Sequence, residues 1–145
     1  MKKLILFVGL LLFLFSCSSD IKHIQNMGDT FYTKLKNRNY KEALQYTYSR
    51  FFKNADSVWE AMQNKYGKIL SFHREETTVL NGQKILYKNK DTLYGDIAVL
   101  KYKVNYEKVS VKERLVFIKV RKINSYQYTN PTYKIIYYQS GYDQK

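Results

Sequence analysis

The N-terminal part of the chain differs from the rest in its pattern of apolar and polar residues. Met1, Lys2 and Lys3 are followed by residues 4–15, which contain no charged or strongly polar side chain. A positive start and an apolar stretch are typical of a secretion signal. As a helix the stretch would be about 18 Å long, well short of the roughly 30 Å hydrocarbon core of a bilayer. Residues 1–16 are therefore predicted to be a signal peptide and not a permanent transmembrane helix.

Three stretches after residue 20 repeat apolar residues at helical spacing. The first predicts a helix over residues 21–36, with the buried stripe Ile21, Ile24, Gly28, Phe31 and Leu35. Asn39 followed by Glu42 has the form of a capping box. It predicts a second helix with the buried stripe Tyr40, Ala43, Leu44, Thr47 and Phe51.

The third helix is predicted to begin after Asp56 or Ser57, either of which can serve as its N-cap. Trp59, Met62 and Tyr66 form its apolar stripe. Gly67 stands where a helix C-terminus favours a left-handed residue. The helical pattern ends there.

Beyond Gly67 the period changes to two, which indicates strands. Strands are expected at residues 68–80, 84–87, 100–106, 116–121 and 134–138, with turns at Asn81-Gly82, Tyr94-Gly95-Asp96 and Thr129-Asn130-Pro131. Helices followed by a run of strands predict an α+β fold, in which N-terminal helices pack on an antiparallel sheet. Residues 21–145 are expected to form a single domain.

The end of the N-terminal apolar stretch, Leu14-Phe15-Ser16-Cys17, resembles the lipobox of bacterial lipoproteins. In that motif a Leu stands three residues before an obligatory Cys, and a small residue directly precedes it. The resemblance implies cleavage after Ser16 and acylation of Cys17, since the thiol carries the lipid, and more than one acyl chain makes such an anchor stable. Residues 17–20 would be the lipidated Cys and a short tether to the membrane.

The same resemblance implies a lipid-anchored protein of the cell envelope. Ser18, and not Asp, follows Cys17. The outer membrane, facing the periplasm, is therefore the expected location if the bacterium has two membranes.

Charge and composition limit the partners. The formal net charge is +13, and +11 once Lys2 and Lys3 are removed with the signal. This charge favours anionic envelope components, and a merely solvated basic surface is the alternative. Most of the 15 Tyr residues are explained by strand composition, and an envelope location argues against nucleic acid as a partner. Cys17 is the only cysteine, so the fold has no disulfide.

A second resemblance rests on residues 31–44 and on Gly67-Lys68-Ile69-Leu70. An aromatic-rich helix that ends at a polar turn, followed by the Tyr40-x-x-Ala43 helix, is similar to the small NTF2-like and cystatin-like domains of bacterial lipoproteins of unknown function. The resemblance covers residues 21–138. It implies a curved sheet with its concave face against the helices, often with a pocket, and it carries over no catalytic residue.

Five side chains are candidates to line such a pocket between helix and sheet: Trp59, Tyr66, His73, Tyr102 and Tyr106. For Trp59 the alternative is packing in the core. His73 and Glu75 could in principle form an acid/base pair. Strand alternation instead places His73 and Glu75 on one face and Arg74 and Glu76 on the other, which favours ion pairing.

Enzymatic signatures are absent from the sequence. His23 is the only other histidine, so no zinc set is predicted, and the six glycines form no phosphate loop. We predict no catalytic residue, metal or cofactor. The expected function is a non-catalytic binding or scaffolding module for an unknown protein or small molecule. The alternatives are an adaptor subunit of an envelope complex and an enzyme with a cryptic pocket.

Overall fold

A computed structural model of the protein describes residues 20–49, 51–86, 92–123, 126–127 and 132–141. The predicted signal peptide 1–16, the acylation site Cys17 and the turn Thr129-Asn130-Pro131 lie outside the described residues. Among the residues described, no helix is both long and apolar enough to cross a membrane.

Among the described residues, three helices precede the strands. Helix α1 covers residues 20–36 of the described chain, α2 is Tyr40–Leu44 and α3 is Ala55–Tyr66. Gly67 ends α3 with a positive φ of 87°, and its N–H donates to the Gln63 carbonyl at 2.9 Å. The predicted first helix and the glycine stop are confirmed.

In the described part of the chain, five strands form one antiparallel sheet: β1 Ile69–Leu86, β2 Thr92–Tyr106, β3 Ser110–Ile123, β4 Tyr126–Gln127 and β5 Tyr133–Ser140. The strand order is β1-β2-β3-β4, and β5 also pairs with β3. Helices packed on an antiparallel sheet confirm the α+β class.

The second predicted helix is too long. Helix α2 ends at Leu44, and the chain after it runs parallel to β5. Tyr48 N–H donates to the Ile135 carbonyl and Ile135 N–H donates to the Tyr46 carbonyl, both at 2.8 Å. These backbone groups pair with a strand and are not available to continue a helix.

Asn39 is the N-cap of α2 as predicted, but the predicted capping box is wrong. The Asn39 side chain makes no capping hydrogen bond, and Glu42 forms an ion pair of 2.5 Å with Lys34. Helix α3 begins at Ala55 with Asn54 as its N-cap, so the predicted cap at Asp56 or Ser57 is two or three residues too late.

Two predicted turns lie inside strands. Asn81-Gly82 falls within β1, where the pairing register shifts between Leu80 and Gln83, and Tyr94-Gly95 is a register shift within β2. At Asn81-Gly82 the extra residue lies in β1, so the turn-forming pair serves as a β-bulge, which keeps the strand paired while bending it. At Tyr94-Gly95 the extra residue is Arg121 on β3. As a result β1 and β2 are much longer than the sequence pattern predicts.

The two faces of the sheet bury different apolar clusters. The helices cover the face that presents Leu100, Val104, Leu115 and Phe117. Alternation places Ile118 and Val120 on the other face, where Tyr48 and Phe51 of the chain after α2 pack against them. We call these the helix face and the outer face.

Candidate functional site

Glu113 on β3 is a fully buried carboxylate on the helix face of the sheet. Tyr32 on α1 donates a hydrogen bond to its Oε2 at 2.9 Å, and Tyr106 on β2 donates to its Oε1 at 2.8 Å. The Ser140 hydroxyl on β5 lies 3.3 Å from Oε1. One helix and three strands therefore meet at this carboxylate, which we call the Glu113 centre.

Burial controls the electrostatics of the Glu113 centre. It raises the pKa of Glu113 above its usual value, and the hydrogen bonds that Glu113 accepts, that from Tyr106 first, oppose that rise without cancelling it. Burial and the neighbouring Glu113 also raise the pKa of the Tyr32 hydroxyl. The protonated carboxyl and the neutral phenols are consequently more favoured in this centre than they would be in water.

Aromatic side chains fill the space beside the Glu113 centre. Trp59 on α3 is only 2 % exposed, and its ring lies 5.3 Å from Phe31 and 6.4 Å from Tyr138. The Tyr138 hydroxyl reaches the Met62 sulfur at 3.5 Å. Protein groups thus occupy the interior here, and both Glu113 oxygens have protein donors.

A second polar group joins α1 to the sheet. Arg74 on β1 lies 2.7 Å from both carboxylate oxygens of Asp29, and the Tyr102 hydroxyl donates to Asp29 at 2.8 Å. Arg74 and Tyr102 are bonded to the same carboxylate, so this cluster is a crosslink between helix and sheet. Burial, then the bond to Asp29, raises the pKa of Tyr102.

A pocket of about 760 Å³ opens at a different place, where the first described residues of α1 meet the ends of the strands. Its apolar lining includes Ile21, Ile24, Val79, Tyr94 and Tyr133. Its polar lining includes Asp20, Asn81, Asp96 and Arg121. This volume falls within the usual range for small-molecule sites. We call it the strand-end pocket.

The two bulges build the polar side of the strand-end pocket. The register shift at Asn81-Gly82 lets the Gly82 N–H, at a φ of 63°, donate to Asp96 Oδ1 at 3.0 Å. A Cβ at Gly95 would overlap the carbonyl oxygen of Lys119, so only glycine permits this close pairing of β2 with β3.

Asp96 in turn fixes a cation at the pocket. Arg121 donates from Nε and Nη2 to Asp96 Oδ2 at 3.1 and 2.5 Å. The Asp96 side chain is 8 % exposed, whereas that of Arg121 is 63 % exposed. A second pair, Lys119 with Asp20 at 3.1 Å, joins β3 to the first residue described in α1.

No family model, characterised protein or solved structure matches this chain. Its function is therefore argued from the geometry of its own residues.

The five predicted pocket residues do not line the strand-end pocket. Trp59, Tyr102 and Tyr106 are buried on the helix face, and Tyr66 lies beside Tyr106 with ring centroids 5.6 Å apart. His73 is exposed on β1 opposite Lys103. It borders a cleft of about 190 Å³ with Asp29, Phe72 and Arg74.

The prediction that Arg74 and Glu76 lie on the same face of the sheet is wrong. A β-bulge between these residues places Arg74 opposite the inward Tyr102 and Glu76 opposite the outward Lys101. Arg74 consequently pairs with Asp29 on α1, whereas Glu76 forms an ion pair of 2.6 Å with Lys101. Ion pairing at this segment is confirmed, with different partners.

Four residues of these clusters were not predicted from the sequence as site residues: Glu113, Asp29, Asp96 and Arg121. For Glu113 a signal was present, because it stands in an alternating series with Val111, Leu115 and Phe117 and is the only charged member of that series. In the part of the chain that the structure describes, no group of three or more His, Cys, Asp or Glu side chains could hold a metal ion.

Proposed function

We propose that this chain is a lipid-anchored protein of the bacterial cell envelope and acts as a non-catalytic binding module. The anchor would be the acylated Cys17, and the folded part an NTF2-like or cystatin-like domain. The proposal joins the lipobox-like sequence to the strand-end pocket.

The observation that carries the proposal is the position of the strand-end pocket. Asp20 lines the pocket and is three residues after Cys17. Three residues of extended chain span at most about 11 Å. An acylated Cys17 would therefore hold the mouth of the pocket close to the membrane surface, where lipid-derived or envelope-bound ligands are concentrated.

The Glu113 centre supports a binding role over an enzymatic one. A general acid or base must reach its substrate within hydrogen-bond distance. Glu113 is 0 % exposed, and its two oxygens accept hydrogen bonds from tyrosines of the same chain. We interpret Glu113 as a structural group that joins α1 to the sheet.

Anchoring is tested by detergent-phase partitioning of three full-length proteins expressed in a bacterial host. The wild type and a matched Ser18→Ala control should enter the detergent phase at the mature mass. Cys17→Ser should remain unprocessed or become soluble, because diacylglycerol transfer requires the thiol. A Cys17→Ser protein that partitions with lipid at the mature mass would contradict the anchor.

Location is tested separately in a host with two membranes. We expect the processed protein in the outer-membrane fraction of a sucrose gradient. The residue after Cys17 is Ser18, and not the Asp that retains many lipoproteins in the inner membrane. Recovery in the inner-membrane fraction would contradict this part of the proposal.

A further inference from the structure

The strand-end pocket has an apolar wall and a polar mouth. Ile21 and Ile24 come from α1, and Val79 comes from β1. Ile24 is fully buried, whereas Ile21 is only partly so, which indicates a wall that runs from the core to the surface. Such a wall is suited to an apolar chain that enters from one end.

The charges at the mouth are not equivalent. Both acids have partners within the protein: Asp20 pairs with Lys119, and Asp96 accepts from the Gly82 N–H and from Arg121. A guanidinium has five N–H donors, and the two bonds to Asp96 use two of them. Arg121 remains 63 % exposed, so it presents a fixed, solvent-facing cation beside the apolar wall.

We infer that the strand-end pocket binds a single-chain amphipathic anion of the fatty-acid class, with its charged head at Arg121 and its chain along Ile21, Ile24 and Val79. Arg recognises carboxylate and phosphate through paired hydrogen bonds. The formal charge of +13 adds a general attraction for anions. This inference assigns a ligand class to the binding module proposed above and rests on it.

The proposed membrane location supplies this ligand. Single-chain anions partition into the bilayer surface, and a pocket held within about 11 Å of the acylated Cys17 samples that surface directly. The head could be a carboxylate or a phosphate, since Arg121 suits both. Probes with each head distinguish the two sources.

The test is photolabelling of the full-length protein in isolated membranes. Three probes carry the same diazirine near the chain end: dodecanoic acid, dodecyl phosphate and dodecanol. Adducts are mapped by peptide mass spectrometry. We expect the acid, the phosphate or both to label peptides containing Ile21, Ile24 or Val79 at least about tenfold more than dodecanol, because the alcohol lacks the charge-assisted bond.

Variants test two contacts of the ligand separately: that of its charged head and that of its alkyl chain. Arg121→Gln should reduce anion labelling about tenfold, to the level of dodecanol. Ile21→Trp should block pocket labelling by all probes, because the larger side chain fills the apolar wall while Asp96 keeps its partner. Lys103→Gln, which removes an exposed cation from β2, is the matched control and should label like the wild type. Thermal melts show that each variant is folded.

The inference is overturned if dodecanol labels the wild-type pocket as strongly as both anions, or if Ile21→Trp leaves the pocket adducts unchanged. It is also overturned if Lys103→Gln and Arg121→Gln reduce labelling equally, which would indicate general charge attraction.

Labelling of the full-length Cys17→Ser protein tests the proposed ligand separately from the proposed lipid anchor. Pocket adducts in a Cys17→Ser protein that still partitions with lipid at the mature mass would contradict the anchor and support the ligand. An anchored wild type without pocket adducts would contradict the ligand and leave the anchor supported.

Discussion

The Tyr32 hydroxyl donates a hydrogen bond of 2.9 Å to the Glu113 carboxylate, across 81 positions of sequence. Tyr32 is 0 % exposed, as is Glu113. A buried carboxylate is unfavourable unless donors surround it, and this bond supplies one of them. The pair therefore links α1 to β3 and couples the placement of the helix to that of the sheet.

Removal of the Glu113 side chain should strongly destabilise the fold. Glu113→Ala leaves the buried hydroxyls of Tyr32 and Tyr106 without their acceptor, at about 1 to 3 kcal/mol each. Glu113→Gln keeps the shape and one carbonyl acceptor, so we expect a smaller loss. Urea melts at neutral pH give both free energies of unfolding, and equal values for the two variants would contradict this role.

The Glu113 centre should also give stability a dependence on pH. Burial raises the pKa of Glu113 in the folded chain above the ordinary value of 4.5. The contribution of Glu113 to the free energy of unfolding is therefore fully present below about pH 4.5, and it is lost as the pH rises through the pKa of the folded state. The free energy of unfolding of Glu113→Gln should lack this decline. Parallel urea melts from about pH 4 to pH 8 measure it, and identical profiles would argue against the raised pKa.

Trp59 should contribute a large share of the stability of the domain. Its ring packs against Phe31 and Phe52 in the core of the helix face. Trp59→Ala should lower the free energy of unfolding by about 3 to 5 kcal/mol. Val58 is the neighbouring control, because it is 54 % exposed, and Val58→Ala should change stability by less than about 0.5 kcal/mol. Similar urea midpoints for the two variants would place Trp59 outside the core.

His73 should be dispensable. It is exposed on β1, so His73→Ala should change the free energy of unfolding by less than about 0.5 kcal/mol and should complement a deletion strain. A His73→Ala protein that melts like the wild type and fails to complement would place a functional site at His73, Glu75 or Glu76.

Local patterns predicted the elements that local forces determine. The stripe from Ile24 to Leu35 predicted α1, and the alternation from Leu100 to Tyr106 predicted the C-terminal half of β2. Long-range pairing determined the rest. Asn81-Gly82 is a bulge because β2 pairs with β1 on both sides of it, and α2 ends early because residues 46–48 pair with β5.

The strand-end pocket could not be predicted for the same reason. Its lining comes from α1 and four strands, and Arg121 is placed by Asp96, which lies 25 positions earlier. No short motif encodes that arrangement. The one available signal was Glu113, an acidic residue at an inward strand position, and it marks a structural centre and not the pocket.

The central claim is that this chain is a lipid-anchored binding module, and the intact mass of the protein purified from membranes of its host tests it most directly. We expect a chain that begins at Cys17, with 129 of the 145 residues, and that carries the mass of a diacylglycerol and usually one further acyl group. A mass equal to the unmodified chain from Met1, or to a cleaved chain with a free Cys17 thiol, would contradict it.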